Sequence, residues 1–456
     1  MKSKHLIKFK KQEELRKKQE AEEVRRILET EKRVIDHNSP GHFLEDFMLN
    51  SPVCLYKWTW STIRLWEGTT NSCHRVKSDP IPENYADFHN TPKKIADREK
   101  MLAGKWPGGG CEYCRDIERA GGESDRTMIN SDPPSMVYPK ELSENKYATS
   151  LTPKMVEVYF NNLCNLGCVY CSAEYSTVWE VENKKHNPII ELDHTSDLPL
   201  PATSNRQLYL DRVEQHFEWL KKHHKGISRY NVLGGEPFFQ PEFERNVDFF
   251  LDNPSPDLYF TIFTNLKVKP AKMRRILDKV KLCLEKKHIR KFGIVFSLDC
   301  WGPQQEYTRS GLNLKDWETN FKIILDEYPD FRLMIHSTIV SLGLPTLPDL
   351  LRKVNKWNEK NYRVGMSFSI ADGRESMHPG IWDNTIMDPY WREVIGLVKE
   401  KHEREHLIGL RGVSIMKQAN KDLQKELFSI LDQLDIRRNT NWRETFDWLR
   451  KLENGV

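Results

Sequence analysis

From Leu151 onward, short apolar runs alternate with longer amphipathic stretches. MVEVYF precedes RQLYLDRVEQHFEWLKKHH, YNVLGG precedes EFERNVDFFLD, and LYFTIFTN precedes AKMRRILDKVKLCLEK. FGIVFSLD and WETNFKIILDEY repeat the pattern before FRLMIHSTIV and VGMSFSIA. Short runs rich in β-branched and aromatic residues, spaced by helical patterns, predict strands joined by crossover helices and hence a parallel sheet or barrel. Six strands are expected, beginning near Val156, Asn231, Tyr259, Gly293, Arg332 and Val364. The predicted class is α/β, a six-stranded parallel sheet or barrel over residues 151–380.

After Asp388 the pattern is helical, in WREVIGLVKEKHEREHL, QKELFSILDQLD and NWRETFDWLRKLE, which predicts a C-terminal helical region over 388–456. Ahead of the barrel, KKQEELRKKQEAEEVRRILETEKRVI combines strong helix formers with opposite charges four residues apart and few apolar positions. It predicts a charged helical arm over residues 1–38, broken at Asn38-Ser39-Pro40-Gly41. Residues 50–148 are punctuated by Trp, Gly and Pro and read as a small loop-rich module, where a weak apolar core leaves room for a stabilising metal.

Composition narrows the classes. No apolar run approaches the roughly 20 residues of a membrane-spanning helix, and the basic first residues lack the apolar core of a signal peptide. Seventy Lys and Arg against sixty-six Asp and Glu give a net charge of +4, too small an excess to predict nucleic-acid binding by itself. Nine cysteines, grouped as CxxC and CxxxCxxC, suit metal ligation in a reducing compartment better than a disulfide framework, so a cytoplasmic protein is expected.

Cys164, Cys168 and Cys171, in NNLCNLGCVYC, directly follow the first predicted barrel strand. The loop therefore lies at a strand's C-terminal end, where α/β barrels place their chemistry. Thiolates are soft ligands for zinc, Cu(I) or iron–sulfur centres. Three of them hold a 4Fe-4S cluster with one iron left open, or form a zinc site completed by a distant ligand.

The loop resembles the CxxxCxxC signature of the radical S-adenosylmethionine (radical SAM) superfamily, with the aromatic Tyr170 just before the third cysteine. That resemblance implies a partial (β/α)6 barrel over residues 151–380, a 4Fe-4S cluster whose open iron chelates S-adenosylmethionine, and reductive cleavage to a 5′-deoxyadenosyl radical that abstracts hydrogen from a substrate. Further elements follow in the family's order. Gly234-Gly235-Glu236-Pro237 resembles the GGEP motif near the SAM amino group, and Thr264-Asn265 and Ser297-Leu298-Asp299 resemble positions near SAM, with Ser297 a candidate for the ribose. Arg309 resembles an arginine that neighbours the SAM carboxylate.

Cys54, Cys73, Cys111 and Cys114 precede this loop. Thirteen residues separate Cys54 from Gly68 and four separate Gly68 from Cys73. This pattern, followed by CxxC, resembles the auxiliary-cluster half-motif of SPASM and twitch domains, in which a glycine turns a hairpin with a thiolate at each end. It implies an auxiliary 4Fe-4S cluster in an N-terminal twitch module; a four-cysteine zinc site is the alternative reading. GGESDRTMIN, after Cys114, resembles a segment of N-terminal-twitch radical SAM proteins, many of them phage-encoded.

Among the remaining residues, Cys283 falls on the apolar side of a predicted helix and reads as core. Cys300 follows Asp299 and is a candidate donor to a substrate radical. His336 and the pair His223-His224 read as structural or solvated. The expected partners are SAM, a peptide or small-metabolite substrate, and a one-electron reductant such as flavodoxin or ferredoxin, with no membrane and no nucleic acid. The contrasting hypothesis is a zinc-stabilised nucleic-acid-binding module without redox chemistry.

Overall fold

The computed structural model describes residues 51–119, 124–131, 151–189, 206–371 and 374–453. The expected charged arm over 1–38 lies outside them, as do the first three residues of GGESDRTMIN. Pro52–Val456 form one compact unit.

All six expected strands are present: β4 (Met155–Tyr159), β6 (Arg229–Leu233), β7 (Ser255–Thr264), β8 (Ile289–Ser297), β10 (Arg332–Ile339) and β11 (Val364–Ile370). They lie side by side in parallel, with crossover helices such as Arg206–His223 and Pro270–Glu285 between them. The fold is α/β, a partial barrel of the expected kind. Two residues each, β5 (Gly167–Cys168) and β9 (Arg309–Ser310), form a separate antiparallel ribbon.

The sheet continues beyond β4, which the sequence reading did not anticipate. β1 (Trp60–Arg64) pairs in parallel with β4 and in antiparallel with β2 (Thr69–Asn71), and β3 (Asp79–Pro80) closes the edge. Residues ahead of the barrel thus extend the same sheet, in the order β11-β10-β8-β7-β6-β4-β1-β2-β3.

Strand alternation explains how this sheet separates core from site. Ile63, Val158, Val232, Ile262, Ile294, Leu333 and Val364 stand in register across seven strands, all buried under the helices. Each such side chain contributes roughly 1.5–3 kcal/mol on burial. Aromatic rings reinforce that layer, with Phe260 5.9 Å from Tyr230 and 5.4 Å from Phe292 between ring centroids. The opposite, concave face carries Thr62, Glu157, Asn231 and Thr261 in one row and Ser297, His336 and Ser367 in another. Polar side chains on the concave face of an otherwise apolar sheet are where a ligand is held.

A buried histidine joins the first strands to the barrel. His216, on the helix Arg206–His223, is hydrogen-bonded to the hydroxyls of Tyr85 and Tyr230, both at 2.7 Å. Burial, aided by the charge of Arg245, pulls its pKa down to about 3. Beyond the barrel, Asn384–Leu397, Lys401–Met416 and Lys421–Arg438 are helices. Among the described residues, no helix is long and apolar enough to cross a membrane.

Candidate functional site

The C-terminal ends of β4, β6, β7 and β8 converge, and each carries one of the sequence motifs. Gly234 and Gly235 take positive φ values of 82° and 52°, which favour glycine. A Cβ at Gly235 would stand 2.2 Å from the carbonyl oxygen of Leu163, so the GGEP turn lies directly on the cysteine loop. The Glu236 amide donates to that same carbonyl at 2.9 Å. The Gln240 side-chain amide adds bonds to the carbonyls of Gly234 (2.6 Å), Asn161 (3.2 Å) and Leu163 (3.3 Å).

Glu236 is fully buried, and its carboxylate braces the next motif. It accepts from the Thr264 hydroxyl at 2.7 Å and from the backbone N–H groups of Asn265 (2.6 Å) and Phe238 (3.0 Å). Burial raises its pKa to about 7 against the pull of these donors. Leu266, fully buried, has a left-handed φ of 60°, an uncommon conformation for a branched side chain. Its amide is held by the Thr264 hydroxyl at 2.9 Å.

On the third side, Asp299 accepts Arg309 Nε and Nη2, both at 2.9 Å, and the Tyr170 hydroxyl at 2.6 Å. The remaining guanidinium nitrogen of Arg309 stands 3.8 Å from Cys168 Sγ, and the Asn265 amide lies 3.8 Å from Cys164 Sγ. Arg309 is brought there by the β5–β9 ribbon, where it is the register partner of Cys168. Burial opposes its charge, yet Asp299, Tyr170 and Cys168 together outweigh burial and lift the Arg309 pKa above its ordinary value. Trp179, buried on the helix Thr177–His186, donates to the Cys168 carbonyl at 2.8 Å.

The three thiols are close enough to perturb one another. Burial and then the neighbouring Cys168 raise Cys164 to about 12, and burial with Cys168 and Cys164 raises Cys171. Among the described residues, no three His, Cys, Asp or Glu side chains close around a single-ion position. Three buried thiols, met by N–H donors and by a glycine turn without side chains, are soft donors that would suit an iron centre, and such a centre would favour their deprotonated form.

The earlier cysteines lie near enough to one another to raise each other's pKa values. Cys54 precedes the short helix Leu55–Thr59 that leads into β1, and Cys73 follows β2, with Gly68 at a φ of 74° in the turn between the strands. Cys111 and Cys114 flank the start of the helix Glu112–Arg119. Gly110 packs that segment onto the Cys73 side, because a Cβ there would stand 1.9 Å from the carbonyl oxygen of Arg75. Cys54 is raised by burial and then by Cys73, and Cys111 reaches about 11 through burial, with Cys73 and Cys114 adding to it. Lys57 is buried among them and paired with Asp97 at 2.7 Å. Burial lowers its pKa, but the neighbouring Cys111 and Asp97 outweigh that, so the ammonium persists beside the thiols.

Cys300 is fully buried, its sulfur 3.4 Å from Gln305 Oε1 and packed toward Gly343. Cys283 is a core thiol. Ser297 is half-buried on the concave face beside His336, which is hydrogen-bonded to Ser367 (2.9 Å) and Ser369 (3.1 Å). Sequence reasoning missed Gln240 and Arg374. Arg374 reaches back from beyond β11 to the carbonyls of Cys171 (3.2 Å) and Tyr170 (3.4 Å). Gln240 carried a faint signal, lying three residues after the GGEP turn; Arg374, two hundred residues from the loop it holds, carried none.

The fold is an α/β partial barrel whose first strand is followed by three neighbouring cysteine thiols, with the other motifs at the ends of the next strands. Residues 158–349, less than half of the chain, match the model of the Radical SAM superfamily, so this segment is similar to the domains of that superfamily. The match spans the end of β4 through β10 and excludes Cys54–Cys114.

No curated protein matches the sequence. Among solved structures, Streptococcus suis SuiB bound to S-adenosylmethionine is 14% identical, over 73% of this chain and 68% of that one, with a TM-score of 0.33. SuiB bound to its precursor peptide SuiA is 13% identical, over 71% and 74%, at 0.30. TYW1 with a lysine-pyruvate adduct is 13% identical, over 64% and 93%, at 0.29. These likenesses are too slight to bear on function.

Proposed function

We propose that this protein is a radical SAM enzyme with two cluster sites, one at Cys164, Cys168 and Cys171 and one at Cys54, Cys73, Cys111 and Cys114. The observation that carries the reading is the seating of the Gly234-Gly235 turn on the carbonyl of Leu163, next to Cys164. It brings backbone free of side chains to the cysteine loop, where S-adenosylmethionine would approach. With cluster and S-adenosylmethionine bound, the first site supplies a 5′-deoxyadenosyl radical by one-electron cleavage.

The chain's own residues divide the work. Glu236, Thr264 and Asn265 fix the floor of the site through buried hydrogen bonds. Asp299 holds Arg309 against the cysteine loop, and Tyr170 completes that triad. The substrate, a peptide or protein side chain or a small metabolite, would meet the concave face at Ser297, His336 and their row, so that hydrogen abstraction proceeds away from bulk water. The four-cysteine site supports the auxiliary-cluster reading through the hairpin turned by Gly68, the packing of Gly110 and the buried Lys57 cation. There the substrate radical would give up its electron, yielding net oxidation.

Anaerobic reconstitution tests the reading: about eight irons and as many sulfides per chain are expected for two 4Fe-4S clusters. Zinc without iron would contradict it. Transfer of deuterium from labelled candidate substrates into 5′-deoxyadenosine identifies the substrate.

A further inference from the structure

A cavity of about 570 Å³ opens beside the cysteine loop, between the turn after β7 and the segment after β9. Its lining is mostly apolar, with Val268, Leu312 and Trp317 in its walls and Phe239 standing 48% exposed at its edge. The charged residues that line it are Lys267, Lys269, Lys272 and Asp316, so positive charge prevails. An exposed phenylalanine beside a lysine-rimmed apolar groove is the composition of an interaction surface.

The groove reaches the thiolate site through Asn165, which follows Cys164 in sequence. Lys267 Nζ donates to the Asn165 carbonyl at 3.0 Å, and the Asn165 side-chain amide donates to the Lys267 carbonyl at 2.8 Å. The Asn265 amide bridges the two regions, 3.0 Å from Asn165 Oδ1 and 3.8 Å from Cys164 Sγ. A short hydrogen-bonded path therefore joins the groove wall to one of the three thiols.

We infer that this groove docks an acidic one-electron carrier protein. The inference rests on the radical SAM reading, which requires one electron per cleavage. In the step itself one electron leaves the reduced carrier, which is thereby oxidised, and enters the centre held by Cys164, Cys168 and Cys171; no atom is transferred. A carrier that must dock and leave quickly uses a small interface, and lysines around an apolar patch speed its encounter when its own surface is acidic.

The test uses the reconstituted full chain with reduced flavodoxin, an acidic carrier, as the probe. In Lys269→Glu/Lys272→Glu, flavodoxin binding read by fluorescence anisotropy at low salt should weaken about tenfold or more, and the salt dependence seen with the unaltered protein should largely vanish. Formation of 5′-deoxyadenosine should fall when driven by subsaturating flavodoxin and stay unchanged when driven by dithionite. Unchanged flavodoxin binding in the variant, or equal losses with both reductants, would overturn the docking assignment. Failure of the unaltered protein to make 5′-deoxyadenosine even with dithionite is a separate result, which would overturn the radical reading and the donor role together.

Discussion

Asp299 grips Arg309 with both carboxylate oxygens, each 2.9 Å from a guanidinium nitrogen, and so holds the arginine 3.8 Å from the sulfur of Cys168. Both partners are buried. Removing one leaves an uncompensated buried charge, so Asp299→Asn should destabilise the apoprotein by about 3–5 kcal/mol in chemical denaturation. Combining it with Arg309→Gln should cost less than the sum of the two single changes, with a coupling above about 1 kcal/mol. Additive losses would show that the pair does not act as a unit.

Gly235 sets the approach of the second motif. Gly235→Ala would place a methyl group where the Leu163 carbonyl lies and would strain a φ of 52°. A cost of about 1–3 kcal/mol in stability is expected, with equilibrium dialysis showing clearly weaker binding of S-adenosylmethionine. Gly226, with nothing within 4 Å of its Cβ position, is the control, and Gly226→Ala should leave binding unchanged.

Gly110 does the same for the four-cysteine site. With the Arg75 carbonyl only 1.9 Å from the position of its Cβ, Gly110→Ala should push the Cys111–Cys114 segment away from Cys73. Iron should fall from about eight to about four per chain, while the remaining cluster still cleaves S-adenosylmethionine. Retention of all the iron would contradict the packing argument.

His216 predicts how stability responds to acid. Its folded pKa of about 3 lies below its unfolded value of 6.5, so the folded state keeps it neutral while the unfolded state takes up a proton. Its contribution is fully present above pH 6.5 and is lost as pH falls towards 3. The slope should be about 1.4 kcal/mol per pH unit. Denaturation midpoints between pH 7 and pH 5, compared with those of His216→Phe, measure it; the variant should show a shallower slope.

Much of the barrel was legible because its strands are apolar on one face and separated by amphipathic helices, and all six lie where that period placed them. The motifs were legible because each ends a strand, and a strand end fixes position. The pairing of β1 with β4 was hidden, since the short run at Trp60–Arg64 sits among loops and nothing local tells a hairpin's partner. The Glu236 carboxylate is taken up by Thr264 and two backbone amides, and side-chain direction of this kind cannot be read from a motif. Gln240 and Arg374 act on carbonyls distant in sequence, so only the folded chain reveals them.

The central claim is that Cys164, Cys168 and Cys171 together support cleavage of S-adenosylmethionine. The most direct measurement is the 5′-deoxyadenosine formed when the anaerobically reconstituted, dithionite-reduced protein meets S-adenosylmethionine. The unaltered protein should form it, and Cys168→Ala should form essentially none while retaining the iron held by Cys54, Cys73, Cys111 and Cys114. Normal 5′-deoxyadenosine formation by Cys168→Ala, or none from the unaltered, iron-loaded protein, would contradict the account.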